Sequence, residues 1–211
     1  MLIEVENEQI ELLADKCIYI PRSKCLLLAD LHLGKVSHFR KNGIPVPPKS
    51  RLENLNRLER VIKNYRPENV IFLGDLFHSS LNNEWQEFGV FIKTLPHLRF
   101  TLITGNHDIL PPSAYAGLNI KTHQTMIQPP FLFTHEPQPG STYYNICGHI
   151  HPAVKLKGKV KNKLTLPCFI FKKDQAILPA FSSFAGSALV KPEKDDRVFI
   201  PAGKEIIEMK K

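Results

Sequence analysis

Side chains that can bind metal ions recur at the ends of predicted strands in this sequence. The segments LLLADLH, VIFLGDLFH and TLITGNHD each pass from an apolar run into carboxylate, amide or imidazole groups, and FLFTHE and NICGHIH end in histidines or nearby polar groups. Ligands of open α/β sheets bind beyond the carboxyl ends of the strands, so these groups should gather on one rim. The groups concerned are Asp30, His32, Asp75, His78, Asn106, His107, Asp108, His135, His149 and His151.

Such a mixed set of ligands suits two adjacent divalent cations. Imidazole, carboxylate and amide ligands together favour manganese, iron or zinc over calcium. Two such ions, roughly 3.5–4 Å apart, can clamp the attacking and leaving oxygens of a phosphoryl transfer. A shared carboxylate would hold the ions together, and a bound water would lose a proton and attack as hydroxide. The residues therefore predict a centre that hydrolyses phosphate esters.

The segment NICGHIHPAV offers a narrower interpretation. Cys147, His149 and His151 occupy every second position, so an extended strand would present them on one face. Cysteine and histidine in that arrangement could supply three ligands of a single zinc ion. Part of a larger site, or a strand with two unrelated histidines, would explain the same spacing.

The elements that must position these groups alternate between strand and helix in the first half of the chain. Helices are predicted for SRLENLNRLERVIKNY and NNEWQEFGVFIKTL, because apolar residues recur on one helical face of each. They separate three strands that end in polar groups, which is the order of a parallel α/β sheet. From residue 118 onward the helical pattern fades and short strands follow. We therefore predict one domain over residues 1–211, α/β in its first half and mostly β in its second.

The composition favours a cytoplasmic protein with an anionic partner. Lysine and arginine exceed aspartate and glutamate by 28 to 20, giving a net charge of +8, which suits nucleic acid or simply a solvated basic surface. No apolar run is long enough to span a membrane, and the acidic N-terminus lacks the pattern of a secretory signal. The four scattered cysteines are expected to be reduced and buried.

Five blocks in a fixed order resemble the signature of the calcineurin-like metallophosphoesterases. The blocks are Asp30-x-His32, Gly74-Asp75, Gly105-Asn106-His107-Asp108, the lone His135 and Gly148-His149-x-His151. Each block alone is common, but the complete ordered set within residues 25 to 151 is specific. The resemblance implies a four-layer α/β/β/α sandwich, in which two mixed sheets are flanked by helices.

The same resemblance implies a role for each residue of the five blocks. Seven residues would hold two divalent ions: Asp30, His32 and His151 the first, Asn106, His135 and His149 the second, and Asp75 both. His107 would contact the phosphate and protonate the leaving oxygen, while Asp108 would orient the His107 imidazole. The ions would be Mn2+, with iron or zinc as alternatives. Cys147 matches no ligand of that family and is expected to be a core thiol.

Further segments resemble the ligase-associated DNA damage response metallophosphoesterases. These segments are DLHLGK, HFRKNGIPVP, FLGDLFHS, HEP, GHIHPAV, PCF and LPAF, and they extend over nearly the whole chain. Members of that group are encoded beside a DNA ligase and a DEXH-box helicase and are assigned to DNA repair as phosphoesterases or endonucleases. The resemblance implies a DNA-repair nuclease or phosphodiesterase, with DNA as substrate and the ligase and helicase as partners. The segment SSFAGSAL departs from the glycine-rich pattern of that group, so its local shape is not predicted.

Three residues outside the ligand set are candidates for substrate binding. His38 and Arg40 lie on the long segment after the first metal strand, where an arginine could bind phosphate or simply be solvated. His78 follows Asp75 by three residues and could face the substrate or support a ligand. Two other functions stay open: hydrolysis of a small nucleotide or a nucleotide-linked pyrophosphate, and a non-catalytic metal-binding scaffold.

Overall fold

The computed structural model describes residues 1–35, 50–157 and 163–210. Helices given by the described residues include α1 (Ser50–Tyr65), α2 (Asn83–Lys93) and α3 (Pro112–Ala116). The first two coincide with the two helices predicted from the apolar periodicity. Within the described ranges no helix is long and apolar enough to cross a membrane.

The strands of the described residues form three sheets. In chain order they are β1 (Leu2–Val5), β2 (Glu8–Leu13), β3 (Cys17–Ile20), β4 (Cys25–Leu28), β5 (Asn69–Leu73), β6 (Arg99–Ile103), β7 (Ile120–His123), β8 (Met126–Gln128), β9 (Phe131–Phe133), β10 (Tyr144–Cys147), β11 (Pro152–Lys157), β12 (Lys163–Pro167), β13 (Phe169–Phe171), β14 (Gln175–Ile177), β15 (Ala188–Leu189), β16 (Arg197–Ala202) and β17 (Glu205–Glu208). The first sheet has the order β1-β2-β3-β4-β5-β6-β7, the second β17-β16-β13-β14-β10-β9-β8, and the third β12-β11-β15.

Both large sheets are mixed. In the first sheet β1 to β4 form an antiparallel meander, and β4 to β7 run parallel. In the second sheet β10 is parallel to β9 and β14, whereas the outer pairs are antiparallel. The change from α/β to mostly β along the chain is therefore confirmed for the described residues.

Strand alternation builds two cores on the two faces of the first sheet. In β4, Leu26 and Leu28 belong to the cluster that contains Leu58 of α1, whereas Leu27 belongs to the cluster that contains Phe133 of the second sheet. Side chains of successive strand residues point to opposite faces, so one buried strand serves both cores. Burying one such leucine stabilises the fold by about 1.5–3 kcal/mol.

The third sheet covers the outer face of the second. Val154 of β11 lies in a cluster with Ile170 of β13 and Val198 of β16. All buried apolar residues of α1, α2 and α3 instead lie in the cluster on the first sheet. The two mixed sheets of the expected α/β/β/α sandwich are thus observed. The described helices cover the first sheet, and a small sheet covers the second where the resemblance implies helices.

Candidate metal centre

The carboxyl ends of β4 and β5 place two predicted ligand blocks side by side. The two strands are parallel, and their loops stay hydrogen-bonded beyond the strand ends. The N–H of Asp30 donates to the carbonyl of Gly74 over 3.1 Å, and the N–H of His32 donates to the carbonyl of Asp75 over 2.9 Å. The D-x-H block and the G-D block are therefore fixed relative to each other by the backbone itself.

Five of the predicted ligands have a left-handed backbone conformation. They are Asp30 (φ +56°), His32 (+48°), Asp75 (+51°), His149 (+67°) and His151 (+50°). A residue other than glycine in this region costs roughly 1–2 kcal/mol, and such strain persists only where surrounding contacts enforce it. This conformation interrupts the alternation of side chains along a strand. The direction of each of these side chains is therefore set by its own backbone angles rather than by a regular strand.

Two motif glycines are needed because ligand side chains lie against them. A Cβ atom on Gly74 would stand 2.0 Å from Nδ1 of His135. A Cβ atom on Gly148 would stand 2.7 Å from Oδ2 of Asp30. The glycines of the G-D and G-H-x-H blocks therefore leave room for ligands that come from other blocks.

One ligand group consists of Asp30, His32 and His151, as predicted for the first ion. Nε2 of His32 lies 3.4 Å from Nε2 of His151, which in turn lies 3.3 Å from Oδ1 of Asp30. The potential ligand atoms of all three residues fall within 4.8 Å of one another. A single cation can be reached by all three side chains.

The residues predicted to bind the second ion meet at the His135 imidazole. Its Nε2 lies 3.0 Å from Oδ1 of Asn106 and 3.0 Å from Nδ1 of His149. Its Nδ1 lies 2.9 Å from the carbonyl of Leu73, which can only accept, so Nδ1 carries the proton. Nε2 of His135 is therefore left with its lone pair directed at the other ligand atoms.

Asp75 lies between the two groups and is 2% exposed. Its Oδ2 is 3.8 Å from Nε2 of His32, and its Oδ1 is 3.5 Å from Nε2 of His135. Asp30, Asp75 and His135 also form a set whose ligand atoms lie within 4.8 Å. Each carboxylate oxygen of Asp75 thus faces one of the predicted ion positions.

A backbone carbonyl that no sequence motif indicated fixes the orientation of His151. The carbonyl of Gly186 lies 3.0 Å from Nδ1 of His151, so this nitrogen must donate. The N–H of Ala188 donates to the carbonyl of His151 over 3.0 Å. The segment SSFAGSAL therefore holds His151 with Nε2 turned toward Asp30 and His32. Fixing the orientation of this imidazole is the structural role of the segment.

The two imidazoles of the first group differ in their affinity for protons. Burial, with smaller contributions from the positive charge of Lys35 and from neighbouring histidines, lowers the pKa of His32 to about 2. Burial alone would also lower the pKa of His151, but the Asp30 carboxylate and the Gly186 carbonyl outweigh it and raise the pKa. Burial therefore favours the neutral form of the His32 imidazole, which is the form that can bind a cation.

The burial of the carboxylates fits a cation at this centre. Asp30 is 0% exposed, and its Oδ1 accepts no hydrogen bond from the described residues. A buried carboxylate loses its hydration and is strongly destabilising without a compensating charge. The donor set of carboxylate, imidazole and amide groups is also the set expected for a transition-metal ion.

The His107 and His78 rings lie in contact, at an angle of 37° to each other, beside the first ligand group. Their ring centroids are 3.9 Å apart, and the His32 ring lies 5.8 Å from the His107 ring and 5.3 Å from the His78 ring. The backbone N–H of His107 donates to Oδ1 of Asp75 over 3.0 Å. Both rings therefore border the ligand groups.

Asp108 is bound differently from the prediction. Its carboxylate accepts hydrogen bonds from the N–H groups of Asp75, Leu76, Phe77 and Gly105 over 2.8–3.1 Å, and one from Tyr115 Oη over 3.4 Å. Among the described residues no hydrogen bond joins it to the His107 imidazole. Burial raises the pKa of Asp108 to about 6, although the backbone N–H groups act against this shift. Asp108 therefore anchors the loops after β5 and β6 rather than the His107 ring.

Of the remaining predicted residues, only Cys147 lies within the described part of the chain. His38 and Arg40 lie outside the described residues. Cys147 is fully buried, and its thiol lies 3.6 Å from the carbonyl of Ala176, as expected for a core cysteine. Burial raises the pKa of the Cys147 thiol, so a thiolate ligand is disfavoured there.

Comparisons with known proteins point to one family. A family model described as Calcineurin-like phosphoesterase matches residues 23–191. The crystal structure of the nuclease MPE from Pseudomonas putida superposes on this chain with a TM-score of 0.83. The two sequences are 30% identical, and the match covers 99% of this chain and 99% of the nuclease chain. No curated protein matches the chain significantly.

Two more distant structures were also found. A protein of unknown function from Aquifex aeolicus is 20% identical over 60% of this chain and 78% of that chain, with a TM-score of 0.42. The phosphoesterase Yfce from E. coli is 11% identical over 88% of this chain and 97% of that chain, with a TM-score of 0.43. These TM-scores are too low to support a conclusion.

Proposed function

This chain belongs to the calcineurin-like phosphoesterase family, and from that premise we propose that it is a two-metal phosphodiesterase that cleaves nucleic acid. A relative described as a nuclease shares 30% identity over 99% of both chains. The net charge of +8 suits a polyanionic substrate.

The main evidence for two ions is the position of Asp75. Its two oxygens lie 3.8 Å from Nε2 of His32 and 3.5 Å from Nε2 of His135. A carboxylate that faces two separate imidazole groups suits a bridge between two ions better than a single tetrahedral site.

Seven side chains would hold the two ions. Asp30, His32 and His151 would bind the first, Asn106, His135 and His149 the second, and Asp75 both. When bound, the ions supply positive charge that lowers the pKa of water and stabilises the phosphoryl oxygens. We propose manganese because it suits the carboxylate and amide oxygens of this set, while the imidazole nitrogens make iron and zinc the alternatives.

We assign His107 the role of general acid. Its N–H bond to Oδ1 of Asp75 ties the residue to the proposed bridging carboxylate over 3.0 Å. A ring nitrogen of His107 would donate its proton to the leaving oxygen as the P–O bond breaks. Such a transfer contributes about 10²–10⁴-fold to the rate.

His78 is proposed to bind the substrate phosphate. Its ring lies against the His107 ring with a centroid distance of 3.9 Å and an interplanar angle of 37°, so a group that contacts one ring is near the other. The seven proposed ligands already complete two sites, so we assign His78 no role as a metal ligand. His38 and Arg40 keep the same proposed role.

The wider setting of this activity is part of the proposal. Segments such as HFRKNGIPVP and FLGDLFHS resemble the ligase-associated group, whose members are assigned to DNA repair. We therefore propose DNA as the natural substrate and a DNA ligase and a DEXH-box helicase as partners.

The experiment that tests the proposal combines metal analysis with hydrolysis. Protein stripped by a chelator and reloaded with manganese should contain about two ions per chain. It should hydrolyse a chromogenic phosphodiester and cleave DNA. One ion or none per chain, or no hydrolysis of any phosphodiester, would overturn the proposal. Hydrolysis of mononucleotides or pyrophosphates without cleavage of DNA would favour a small-nucleotide hydrolase instead.

A further inference from the structure

The positive charge of the chain is concentrated in the segment that follows the metal-ligand block G-H-x-H. Between Glu136 and Asp174 the sequence contains seven lysines and no acidic residue. The net charge of the whole chain is +8, so the rest of the chain is almost neutral. Like charges gathered in one place repel each other, and a bound polyanion would relieve that repulsion.

The β11–β12 hairpin exposes lysines of this segment on one face. Lys155 of β11 pairs with Thr165 of β12, and Lys163 lies two residues along β12 from that pair. Both lysines are exposed, whereas Val154 is buried in the cluster under the third sheet. Residues two apart in a strand share a face, so Lys163 lies on the face of Thr165 and Lys155.

A third lysine extends this face on the other side of β11. Strand β15 is parallel to β11, and Leu189 of β15 pairs with Ala153. Lys191 follows two residues later and is exposed. We call Lys155, Lys163 and Lys191 the lysine face.

Carboxylates do not neutralise the lysine face within the described part of the chain. No ion pair of the described residues includes Lys155, Lys163 or Lys191. Lys172 differs, because it lies 3.0 Å from Glu193 and 3.5 Å from Asp196. The lysine face therefore keeps its full charge toward solvent.

The lysine face adjoins the candidate metal centre. Strand β11 begins at Pro152, directly after His151, and β15 is joined to His151 through the N–H of Ala188. Lys155 follows His151 by four residues, a distance of roughly 13 Å along an extended strand. A mononucleotide bound at the centre would not reach that far, whereas a chain of several nucleotides would.

We propose that the lysine face binds the phosphate backbone of a polynucleotide whose scissile phosphodiester lies at the metal centre. The inference rests on the proposed phosphodiesterase function and deepens it, because it predicts a polymeric substrate. Lysine acts as a point charge toward phosphate, so this contact adds affinity without selecting a base sequence.

The test compares two triple variants that remove the same charge. One variant carries Lys155→Ala, Lys163→Ala and Lys191→Ala. The control carries Lys93→Ala, Lys121→Ala and Lys204→Ala, which replace exposed lysines on α2, on β7 and before β17. Binding of a fluorescent single-stranded oligonucleotide to metal-free protein is measured over a series of salt concentrations, and hydrolysis of a chromogenic diester is measured in manganese.

The lysine-face variant should bind the oligonucleotide roughly tenfold more weakly at low salt, and its log–log salt slope should fall by about 2, as expected for three lost phosphate contacts. The control should bind like the wild type, and both variants should hydrolyse the small diester at the wild-type rate. Equal loss of binding in both variants, or no loss in either, would overturn the lysine face. A wild type that cannot hydrolyse the small diester would instead overturn the proposed function. Wild-type protein that hydrolyses it but does not bind the oligonucleotide would overturn the lysine face alone.

Discussion

The carboxylate of Asp108 accepts a hydrogen bond from the N–H of Asp75 over 2.8 Å, and the same oxygen accepts one from the N–H of Gly105 over 2.8 Å. The loops after β5 and β6 are therefore joined through one side chain. These loops carry the proposed bridging ligand and the G-N-H-D block. The geometry of the centre therefore depends on Asp108 through these backbone hydrogen bonds.

Asp108→Asn should destabilise the protein and weaken metal binding together. An asparagine would turn its NH2 group toward one of the two pairs of N–H donors, so about two hydrogen bonds to a charged acceptor would be lost. Each is worth about 1.5–3 kcal/mol, and denaturant unfolding should show a loss of about 3 kcal/mol or more. Tyr115→Phe, which removes only the contact at 3.4 Å, should cost less than about 1 kcal/mol. If Asp108→Asn keeps the wild-type stability but loses turnover, Asp108 orients the His107 imidazole rather than anchoring the two loops.

The misassigned role of Asp108 shows where the sequence stops being informative. Because Asp108 is adjacent to His107 in sequence, a hydrogen bond between the two side chains was predicted. Adjacent side chains of a tight loop can point in different directions, and every residue except proline has a backbone N–H, so the sequence does not indicate which N–H groups bind a carboxylate. The carbonyl of Gly186 was missed for the same reason, since it comes from a segment 35 residues after His151. Which backbone carbonyl fixes a histidine tautomer depends on the tertiary fold.

The strand ends and the first two helices were predictable because side-chain patterns encode them. Apolar periodicity located α1 and α2, and runs such as LLLADLH indicated where a buried strand meets a polar rim. The third sheet was not foreseen as a separate layer. The sequence predicts only short strands after residue 118, and it is the packing of Val154 against Ile170 and Val198 that places β11 on the outer face of the second sheet.

His149→Ala and His107→Ala should separate metal binding from proton transfer. Nδ1 of His149 lies 3.0 Å from Nε2 of His135, so its removal should release one of the two ions and abolish hydrolysis. His107→Ala should keep both ions while turnover falls by roughly 10²–10⁴-fold. Mass spectrometry measures the metal content of each variant, and kcat on a chromogenic diester measures its turnover. Loss of an ion in His107→Ala, or full activity in either variant, would contradict the assigned roles.

Gly74→Ala should displace His135 and with it the second ion. The new Cβ would stand 2.0 Å from Nδ1 of His135, and the backbone has φ +84°. Gly140→Ala is a matched control, because Gly140 has φ +76° but no heavy atom within 4 Å of the new Cβ. The control should lose only about 1–2 kcal/mol through strain, whereas Gly74→Ala should also lose manganese or fail to fold. Wild-type metal content and stability in Gly74→Ala would show that the close contact is not needed.

His78→Ala should affect substrate binding more than metal binding. Loss of one hydrogen bond to a phosphate corresponds to a rise in KM of roughly tenfold, with two ions per chain retained. His97→Ala, at an exposed position before β6, serves as the control and should leave KM unchanged. An ion lost from His78→Ala would identify His78 as a support of the ligand groups instead.

Asn54 links the first ligand block to the segment that holds His151. This side chain is 5% exposed; its Nδ2 donates to the carbonyl of Leu31 over 3.4 Å and to Oγ of Ser182 over 3.1 Å, and its Oδ1 accepts from the N–H of Ser183 over 3.2 Å. Leu31 stands between two proposed ligands of the first ion, and the segment that begins at Ser182 leads to the Gly186 carbonyl.

Asn54→Asp should therefore weaken binding of the first ion without touching a ligand. The substitution turns a carboxylate oxygen toward the Leu31 carbonyl, while the other oxygen keeps the hydrogen bond from Arg57 Nη2, which is 2.9 Å long at Oδ1 of Asn54. We expect the repulsion to outweigh the stronger Arg57 contact and to cost about 2 kcal/mol in unfolding free energy. Manganese affinity measured by calorimetry should fall by about 10-fold or more, the usual effect of changing a residue that supports a metal ligand. Glu53→Gln, one residue earlier on α1, keeps an acceptor for the Ser183 hydroxyl and should change stability by less than about 0.5 kcal/mol. A loss of stability in Asn54→Asp with unchanged manganese affinity would mean that Asn54 supports the fold but not the metal centre.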